Sequence, residues 1–368
     1  MKVRSYPLKE FTFPHLTEDM LVRTFEEVRA DREFYENCIS FTSLTFHPDM
    51  RLVYCGITAY NCDILHTFDP KTKKFRSMNY AKVGEKFDVK IHRSLALDDD
   101  GTFWAATACL HDVDQRSEAP GGKILHIFPD TGRIEIVSIP CPPDYIQTIC
   151  LDRHRRLIYG FTYPVFRFFK YDIEKNKTTD FGYIGSIPHI MDVDDEGSVW
   201  GTYSPYFHRL FRYNPRRDRL DFFKLSLPWF RENPAAMFPG AGPIDSMVNG
   251  HDGYLYIGTV QGSLVRLDPK GPEVKYLGKP SVENRLPALQ LGEDGLFYGA
   301  CGFEGRTNLF TYDPKKNLFN DLGRICDPER NDSCFIVHDL TIADDGAIYC
   351  AETDNPKRSG YLWECKLS

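Results

Sequence analysis

The sequence predicts an all-β protein, a β-propeller of seven four-stranded blades. Three observations lead to this prediction: two kinds of turn recur along the chain, apolar segments follow the turns, and the N-terminus is strand-like. Aromatic residues make up 14% of the 368 residues, and 27 glycines and 24 prolines supply many turn positions. This composition is typical of a globular protein built from many short strands.

Turns of the first kind are mostly acidic and end in glycine, and an apolar segment follows each one. They recur at intervals of roughly 42 to 56 residues, which is the period of a four-stranded propeller blade. Asp and Gly favour turns because both tolerate a positive φ. The seven turns are His47-Pro48-Asp49, Asp99-Asp100-Gly101, Arg153-His154-Arg155, Asp195-Glu196-Gly197, His251-Asp252-Gly253, Glu293-Asp294-Gly295 and Asp344-Asp345-Gly346.

Turns of the second kind carry an aromatic or apolar residue beside Asp, Asn or Pro. Proline favours a turn because its ring fixes φ near −65°. Six are present: Phe68-Asp69-Pro70, Phe128-Pro129-Asp130, Tyr171-Asp172-Ile173, Tyr213-Asn214-Pro215, Leu267-Asp268-Pro269 and Tyr312-Asp313-Pro314. The seventh counterpart would fall near Trp363, so the last repeat lacks its fourth strand.

The strand-like segment 3–11 is predicted to supply that missing strand and to close the ring, which removes free sheet edges. Residues 1–368 are therefore expected to form a single propeller domain, with a closing strand and a helix in 1–42 and the blades in 43–368. The helix is predicted over 17–37. Its helically spaced positions are Met20, Leu21, Thr24, Phe25 and Val28.

Charge and hydropathy exclude several classes of function. The net charge of −7 argues against nucleic acid as a partner, because phosphate binding normally needs a basic excess. No apolar run is long enough for a transmembrane helix, so no membrane partner is expected. The N-terminus has no apolar signal region, and the 11 cysteines contain no CxxC pair. A cytoplasmic protein with reduced thiols is expected; its oligomeric state stays open.

A site is expected on one face of the propeller, where inner strands begin and second strands end. Histidine and arginine outnumber carboxylates at these positions in an otherwise acidic protein. The inner-strand entrances supply His92, Arg93, Tyr145, His189, Arg285 and His338. The second-strand exits supply His111, Tyr163, Tyr203, His208, Arg306 and Glu352. Trp229 lies in the long loop 228–242 and could cover the mouth or stack on a sugar ring.

These residue types suit β-elimination from an acidic sugar. Arginine can hold a carboxylate, and histidine with tyrosine can work as a general base and acid. Arg93, Tyr145, His189, His208, Arg285, Arg306, His338, Glu352 and Trp229 are the predicted substrate-binding residues. The catalytic roles would fall to Arg93 or Arg285 as the neutralising cation, His92 or His111 as the base, and Tyr163 or Tyr203 as the proton donor.

The segment 90–104, KIHRSLALDDDGTFW, and the His111 that follows it resemble propeller-type polysaccharide lyases of the ulvan lyase kind. The repeat ending LFTYDP at 309–314, before Asp321-Leu322-Gly323, shares this resemblance. It implies a carbon–oxygen lyase that cleaves a uronate-containing oligosaccharide, with His92 and His111 as the paired histidines. The later tyrosine and arginine do not map uniquely: Tyr163, Tyr203 and Arg167 compete.

The resemblance also implies that a divalent metal ion could be bound, with His189, His208 and His338 as contributors, and indicates no other cofactor. Three alternatives stay open. The first is a glycoside hydrolase with Asp245, Asp339 or Glu352 as its carboxylates. The others are a metal-dependent lactonase and a non-enzymatic propeller that binds sugar or protein. The sequence leaves the sugar, its linkage and the mode of cleavage open.

Overall fold

The computed structural model describes residues 1–13, 24–109, 118–186, 189–204, 206–231 and 242–367. Seven four-stranded antiparallel sheets form the blades of a propeller, which confirms the predicted fold. We number the blades one to seven in chain order, beginning with the blade that contains residues 39–77.

The inner strands of the seven blades surround the propeller axis. They are β2 (Ile39–His47), β6 (Leu95–Leu97), β10 (Tyr145–Asp152), β14 (Asp192–Val193), β18 (Ile244–Asn249), β22 (Ala288–Leu291) and β28 (Val337–Ile342). Each inner strand contacts those of both neighbouring blades, and β28 of blade seven contacts β2 of blade one. The ring is therefore closed.

The remaining strands continue each blade outward. The second strands are β3 (Leu52–Ala59), β7 (Phe103–Ala106), β11 (Leu157–Tyr163), β15 (Val199–Thr202), β19 (Leu255–Thr259), β23 (Phe297–Cys301) and β29 (Ile348–Glu352). The third strands are β4 (Leu65–Asp69), β8 (Ile124–Phe128), β12 (Arg167–Asp172), β16 (Arg209–Asn214), β20 (Leu264–Asp268), β24 (Asn308–Asp313) and β30 (Tyr361–Lys366). The outer strands of blades one to six are β5 (Lys74–Ser77), β9 (Arg133–Ser138), β13 (Lys177–Tyr183), β17 (Arg219–Ser226), β21 (Glu273–Gly278) and β25 (Leu318–Arg324).

The N-terminal strand β1 (Lys2–Pro7) is the outer strand of blade seven, as the sequence predicted. It runs antiparallel to β30, with Lys2 opposite Lys366 and Pro7 opposite Tyr361. A small hairpin of β26 (Cys326–Asp327) and β27 (Asp332–Ser333) supports the closure. The Asp327 carboxylate accepts hydrogen bonds from the backbone N and the hydroxyl of Ser5, both at 2.9 Å.

The acidic turns hold the inner and second strands together. They lie at the propeller face opposite the one where the inner strands begin. In blade four, the Asp194 carboxylate accepts from the backbone N of Glu196 at 3.0 Å and of Ser198 at 2.8 Å. It also accepts from the indole N of Trp200, at 2.8 Å. Gly197 adopts a φ of 78° in this turn, a conformation that favours glycine. The recurring acidic turns thus have a direct structural role.

The predicted N-terminal helix is divided in two. Its described part consists of α1 (Phe25–Ala30) and α2 (Arg32–Asn37), while the predicted positions Met20 and Leu21 lie outside the described residues. Asp31 ends α1, and its carboxylate accepts from the backbone N of Phe34 at 3.2 Å, which begins a second helix. Within the described ranges, no helix is long and apolar enough to cross a membrane.

Candidate functional site

Backbone bulges place polar residues at the start of four inner strands. The pairing of each of these strands with its second strand shifts at one residue, namely Thr42, Gln147, Asp245 and His338. A bulge leaves its residue out of the ladder and re-aims the side chain. The four positions recur in blades one, three, five and seven.

The other three blades supply a polar residue just before the inner strand begins. These residues are Arg93 in blade two, His189 in blade four and Arg285 in blade six. Arg93 and His189 are buried, and the Arg285 side chain is 11% exposed. Six residues from five blades meet around the axis, and we call them the central cluster: His92, Arg93, His189, Asp245, Arg285 and His338.

Asp245 is the only carboxylate of the central cluster and its electrostatic centre. Arg285 donates to both of its oxygens, from Nε to Oδ2 at 2.7 Å and from Nη2 to Oδ1 at 2.9 Å. His189 Nδ1 lies 3.4 Å from Oδ1. Burial pushes the pKa of Asp245 upward, but Arg285, the His189 hydrogen bond and Arg93 outweigh it and hold the pKa well below its usual range. Asp245 is therefore an ionised anion at neutral pH.

Arg93 is a buried cation that Asp245 neutralises only in part. Its Nη1 donates to the Asp245 backbone carbonyl, and its Nε lies 3.3 Å from His338 Nδ1. Its Nη2 is 3.8 Å from Asp245 Oδ1 and has no hydrogen-bond partner among the described residues. Burial lowers the pKa of Arg93 to about 10, so it stays charged. A buried, unsatisfied cationic donor favours an acceptor from a ligand.

The three histidines of the central cluster are neutral. Burial, followed by nearby cations, holds the pKa of His92 and His338 well below the ordinary value, and burial also lowers that of His189. The rings of His92 and His338 meet edge to face, with centroids 4.5 Å apart. His92 Nδ1 lies 2.6 Å from the Gln147 carbonyl oxygen. Because a carbonyl only accepts, Nδ1 carries the hydrogen and Nε2 the lone pair.

Lys90 and Asp339 flank the central cluster, and the sequence prediction did not include Lys90 as a site residue. Burial lowers the pKa of Lys90 to about 8; Asp354 opposes this shift and Arg93 adds to it. Burial raises the pKa of Asp339 to about 6, although its carboxylate accepts from the backbone N of Leu44 at 2.8 Å. The alternation of residues 90 and 92 in extended backbone, where i and i+2 share a face, could have identified Lys90.

The structure brings together five of the predicted site residues: His92, Arg93, His189, Arg285 and His338. All five belong to inner-strand entrances. Tyr145, also at an entrance, instead packs against Tyr163, with ring centroids 5.1 Å apart. His111 lies outside the described residues.

Predicted residues at second-strand exits have other partners. The Tyr203 hydroxyl donates to the Phe223 carbonyl at 3.1 Å. The His208 ring packs on Trp229, with centroids 4.2 Å apart. Arg306 is half exposed and lies 3.5 Å from Glu283. None of these contacts joins the residue to the central cluster.

Glu352 is fully buried inside blade seven, away from solvent. Its oxygens accept from Arg358 Nη1 at 2.7 Å, from the backbone N of Tyr361 at 2.8 Å, and from the indole N of Trp363 at 3.1 Å. The backbone N of Phe335 donates to it as well, at 2.8 Å. Glu352 is therefore buried because its carboxylate joins the strands of the closing blade.

The side chains described near the axis include few possible ligands for a divalent metal ion. Among the described residues, no three His, Cys, Asp or Glu side chains are grouped so that they could hold a metal ion. His189 and His338 belong to the central cluster, whereas His208 contacts Trp229. Arg285 already occupies both oxygens of Asp245. The described residues therefore do not fit a divalent metal centre.

The free energy of unfolding is expected to fall as the pH is lowered below about 6.5. His92 and His338 stay neutral when folded, whereas both bind protons once unfolded. The unfolded state then binds more protons, so stability rises with pH in this range, by up to about 1.4 kcal/mol per pH unit for each histidine. Asp339 opposes this below about pH 6, because it takes up its proton while still folded.

Urea unfolding of the wild type and of His338→Gln, measured from neutral pH down to about pH 5, tests this expectation. The variant should lose less stability on acidification than the wild type does. His251→Gln is the matched control for the substitution itself, because the His251 side chain is 74% exposed and its replacement should change the stability at neutral pH by less than about 1 kcal/mol. Identical pH dependence in wild type and His338→Gln would contradict the neutral-histidine assignment.

Comparisons with known proteins show the fold. No protein-family model matches the chain, and no curated protein sequence matches it. Solved propeller structures are similar over nearly its whole length. Streptogramin B lyase is 14% identical with a TM-score of 0.64, covering 99% of this chain and 98% of that one. The WD40 repeats of RRP9 are 12% identical with a TM-score of 0.61, covering 89% and 94%.

A second lyase structure aligns equally well. It is a catalytically inactive histidine-to-alanine variant of virginiamycin B lyase from Staphylococcus aureus with quinupristin. It is 14% identical, has a TM-score of 0.65, and both chains are covered completely. At such identities the similarity establishes a seven-bladed propeller and no more, since one propeller fold carries many functions.

Proposed function

We propose that the central cluster is the active site of a carbon–oxygen lyase that cleaves an acidic, uronate-containing oligosaccharide by β-elimination. The observation that carries this proposal is the meeting of neutral histidines with an incompletely neutralised arginine at the axis. The similarity in fold to two solved lyases and the resemblance to ulvan-lyase-like propellers are consistent with it.

The reaction has chemical requirements that these residues meet. The proton next to the uronate carboxylate is acidic only when a cation compensates the charge that develops on the carboxylate. Arg93 Nη2 supplies an unused, buried donor for this purpose. His92 Nε2 is the base, because Nδ1 is committed to the Gln147 carbonyl.

The step balances without water or a redox partner. The base removes the proton on C5, the electron pair of that bond becomes the C4–C5 double bond, and the C4–O bond breaks. The leaving oxygen takes up a proton, which Lys90 can donate, since its pKa of about 8 lies close to neutrality. Tyr203, a proton donor expected from the sequence, is less suitable because it already donates to Phe223. Tyr163, the other one, packs against Tyr145.

A glycoside hydrolase is supported less well by the same geometry. That reaction needs a protonated carboxylic acid and a second free carboxylate. Asp245 is ionised and bound by Arg285, and Glu352 is enclosed by Arg358 and Tyr361. Asp339 accepts from the backbone of Leu44. A metal-dependent lactonase is also supported less well, because the described residues contain no group of three potential metal ligands. A non-enzymatic propeller that binds sugar or protein is the remaining alternative.

An elimination assay on a panel of uronate polymers tests the proposal: polygalacturonate, alginate, hyaluronan, chondroitin and ulvan. The product carries a double bond conjugated with its carboxylate and therefore absorbs in the ultraviolet. We expect absorbance to rise with at least one polymer, in proportion to protein concentration. New reducing ends without absorbance would indicate a hydrolase, and binding without turnover a sugar-binding protein. Either result would contradict the lyase.

A further inference from the structure

Four aromatic rings form a row across the mouth edge of blade three. The row consists of Tyr145, Tyr163, Phe166 and Tyr183, and successive ring centroids are 5.1, 5.8 and 6.4 Å apart. The strand pairing places them on one edge, because Tyr145 lies opposite Tyr163 and Arg167 lies opposite Tyr183. The row thus runs outward from the inner strand β10 to the end of the outer strand β13.

Packing of the core does not account for this row. Phe168, two residues after Phe166, is fully buried between blades, as expected of a core ring. Tyr183 is 66% exposed, and the other three rings of the row are only partly buried. A row of aromatic rings that are partly exposed, beside a polar site, is typical of the lining of a ligand-binding groove.

The inner end of the row adjoins the central cluster. Tyr145 is two residues before Gln147, whose carbonyl accepts from His92 at 2.6 Å. The outer half is locally neutral, because Arg167 beside Phe166 is paired with Asp180, its Nε lying 3.0 Å from Oδ2. Contact with a ligand along the row would therefore be mainly apolar.

We propose that this aromatic row binds the sugar rings of the substrate that lie beyond the residue held in the central cluster. Pyranose rings have one face made of C–H groups, and flat aromatic side chains bury such a face at little conformational cost. The inference depends on the substrate class of the proposed function. It adds that the substrate is an oligomer bound radially over blade three, so that affinity rises with chain length.

Binding of disaccharides and hexasaccharides from the same uronate panel tests the row. Titration calorimetry is done with His92→Gln, which should bind without turnover, and with His92→Gln/Tyr183→Ala. We expect Tyr183→Ala to weaken hexasaccharide binding by roughly 5- to 10-fold, the effect of one lost stacking contact, and to leave disaccharide binding unchanged. Tyr276→Ala, a 44% exposed ring on the outer strand of blade five, is the matched control and should change neither.

The outcomes separate this inference from the proposed function. If no polymer is cleaved but Tyr183→Ala weakens hexasaccharide binding selectively, the row is supported and the lyase is not. Two results would overturn the role of the row and leave the lyase standing. In both a polymer is cleaved, but either hexasaccharide and disaccharide bind with equal affinity, or Tyr183→Ala weakens hexasaccharide binding no more than Tyr276→Ala does. Absence of binding by every oligomer overturns the row as well.

Discussion

His92→Gln is expected to lower kcat of the proposed lyase by roughly 10²- to 10⁴-fold, the usual effect of removing a general base. The glutamine amide can still donate to the Gln147 carbonyl, which His92 Nδ1 contacts at 2.6 Å, so the local fold should be kept. It offers no basic nitrogen in place of Nε2. Initial rates of ultraviolet absorbance with a polymer that the wild type cleaves measure this effect.

The control for His92 is His126→Gln. His126 stacks on Trp104, with centroids 4.2 Å apart, and lies 2.9 Å from the Thr102 hydroxyl. It belongs to the third strand of blade two, outside the central cluster, so its replacement should leave kcat within a few-fold of wild type. A His92→Gln enzyme with wild-type kcat would remove His92 from the reaction.

Asp245→Ala is expected to lower the free energy of unfolding by about 3–5 kcal/mol, as measured when one partner of a buried ion pair is removed. Asp245 is fully buried, and Arg285 donates to both of its oxygens. Without the carboxylate, Arg285 and Arg93 would be two like charges that have lost the counterion they share. Urea unfolding with an unchanged m-value would measure the loss.

Two further variants make the Asp245 result interpretable. Asp245→Asn removes the charge but keeps an acceptor oxygen, so its loss should be smaller and measurable even if the alanine variant does not fold. Glu135→Gln disrupts a surface pair with Arg133, in which both side chains are at least 42% exposed, and should change stability by less than about 1 kcal/mol. A loss at Asp245 no larger than at Glu135 would show that the cluster does not depend on its carboxylate.

The fold could be predicted because each repeat contains turns that depend on residues close together in the sequence. Acidic and glycine residues such as Asp194 and Gly197 form turns through contacts within a few residues, and β1 was identified because the last repeat lacks a strand. The helix prediction over 17–37 was wrong in one respect. The Asp31 side chain caps a second helix and so divides the predicted one. The spacing of apolar residues alone does not reveal such a cap.

The residues that the structure brings together were predicted from the symmetry of the propeller, which determines where the inner strands begin. Residues at inner-strand entrances, such as Arg93 and His338, lie close to the axis because the inner strands surround it, although Tyr145 packs against Tyr163 instead. Residues at second-strand exits lie one strand farther out, where partners distant in sequence determine their contacts. Glu352 is engaged by Arg358, and Tyr203 by Phe223, and neither partnership is visible in the repeat pattern. Lys90 was not predicted because burial is what lowers its pKa, and a single lysine in a strand-like segment does not indicate that it is buried.

The closure of the ring by β1 and β30 places the two ends of the chain in one sheet. During synthesis β1 is made long before its partner β30, so a nascent chain carries an open sheet edge until β30 has been made. The contact between Arg93 of blade two and His338 of blade seven joins residues 245 positions apart, so it too can form only after blade seven has been made. A chain that ended before residue 361 would therefore keep most of its blades but lack β30, and β1 would have no strand to pair with in blade seven.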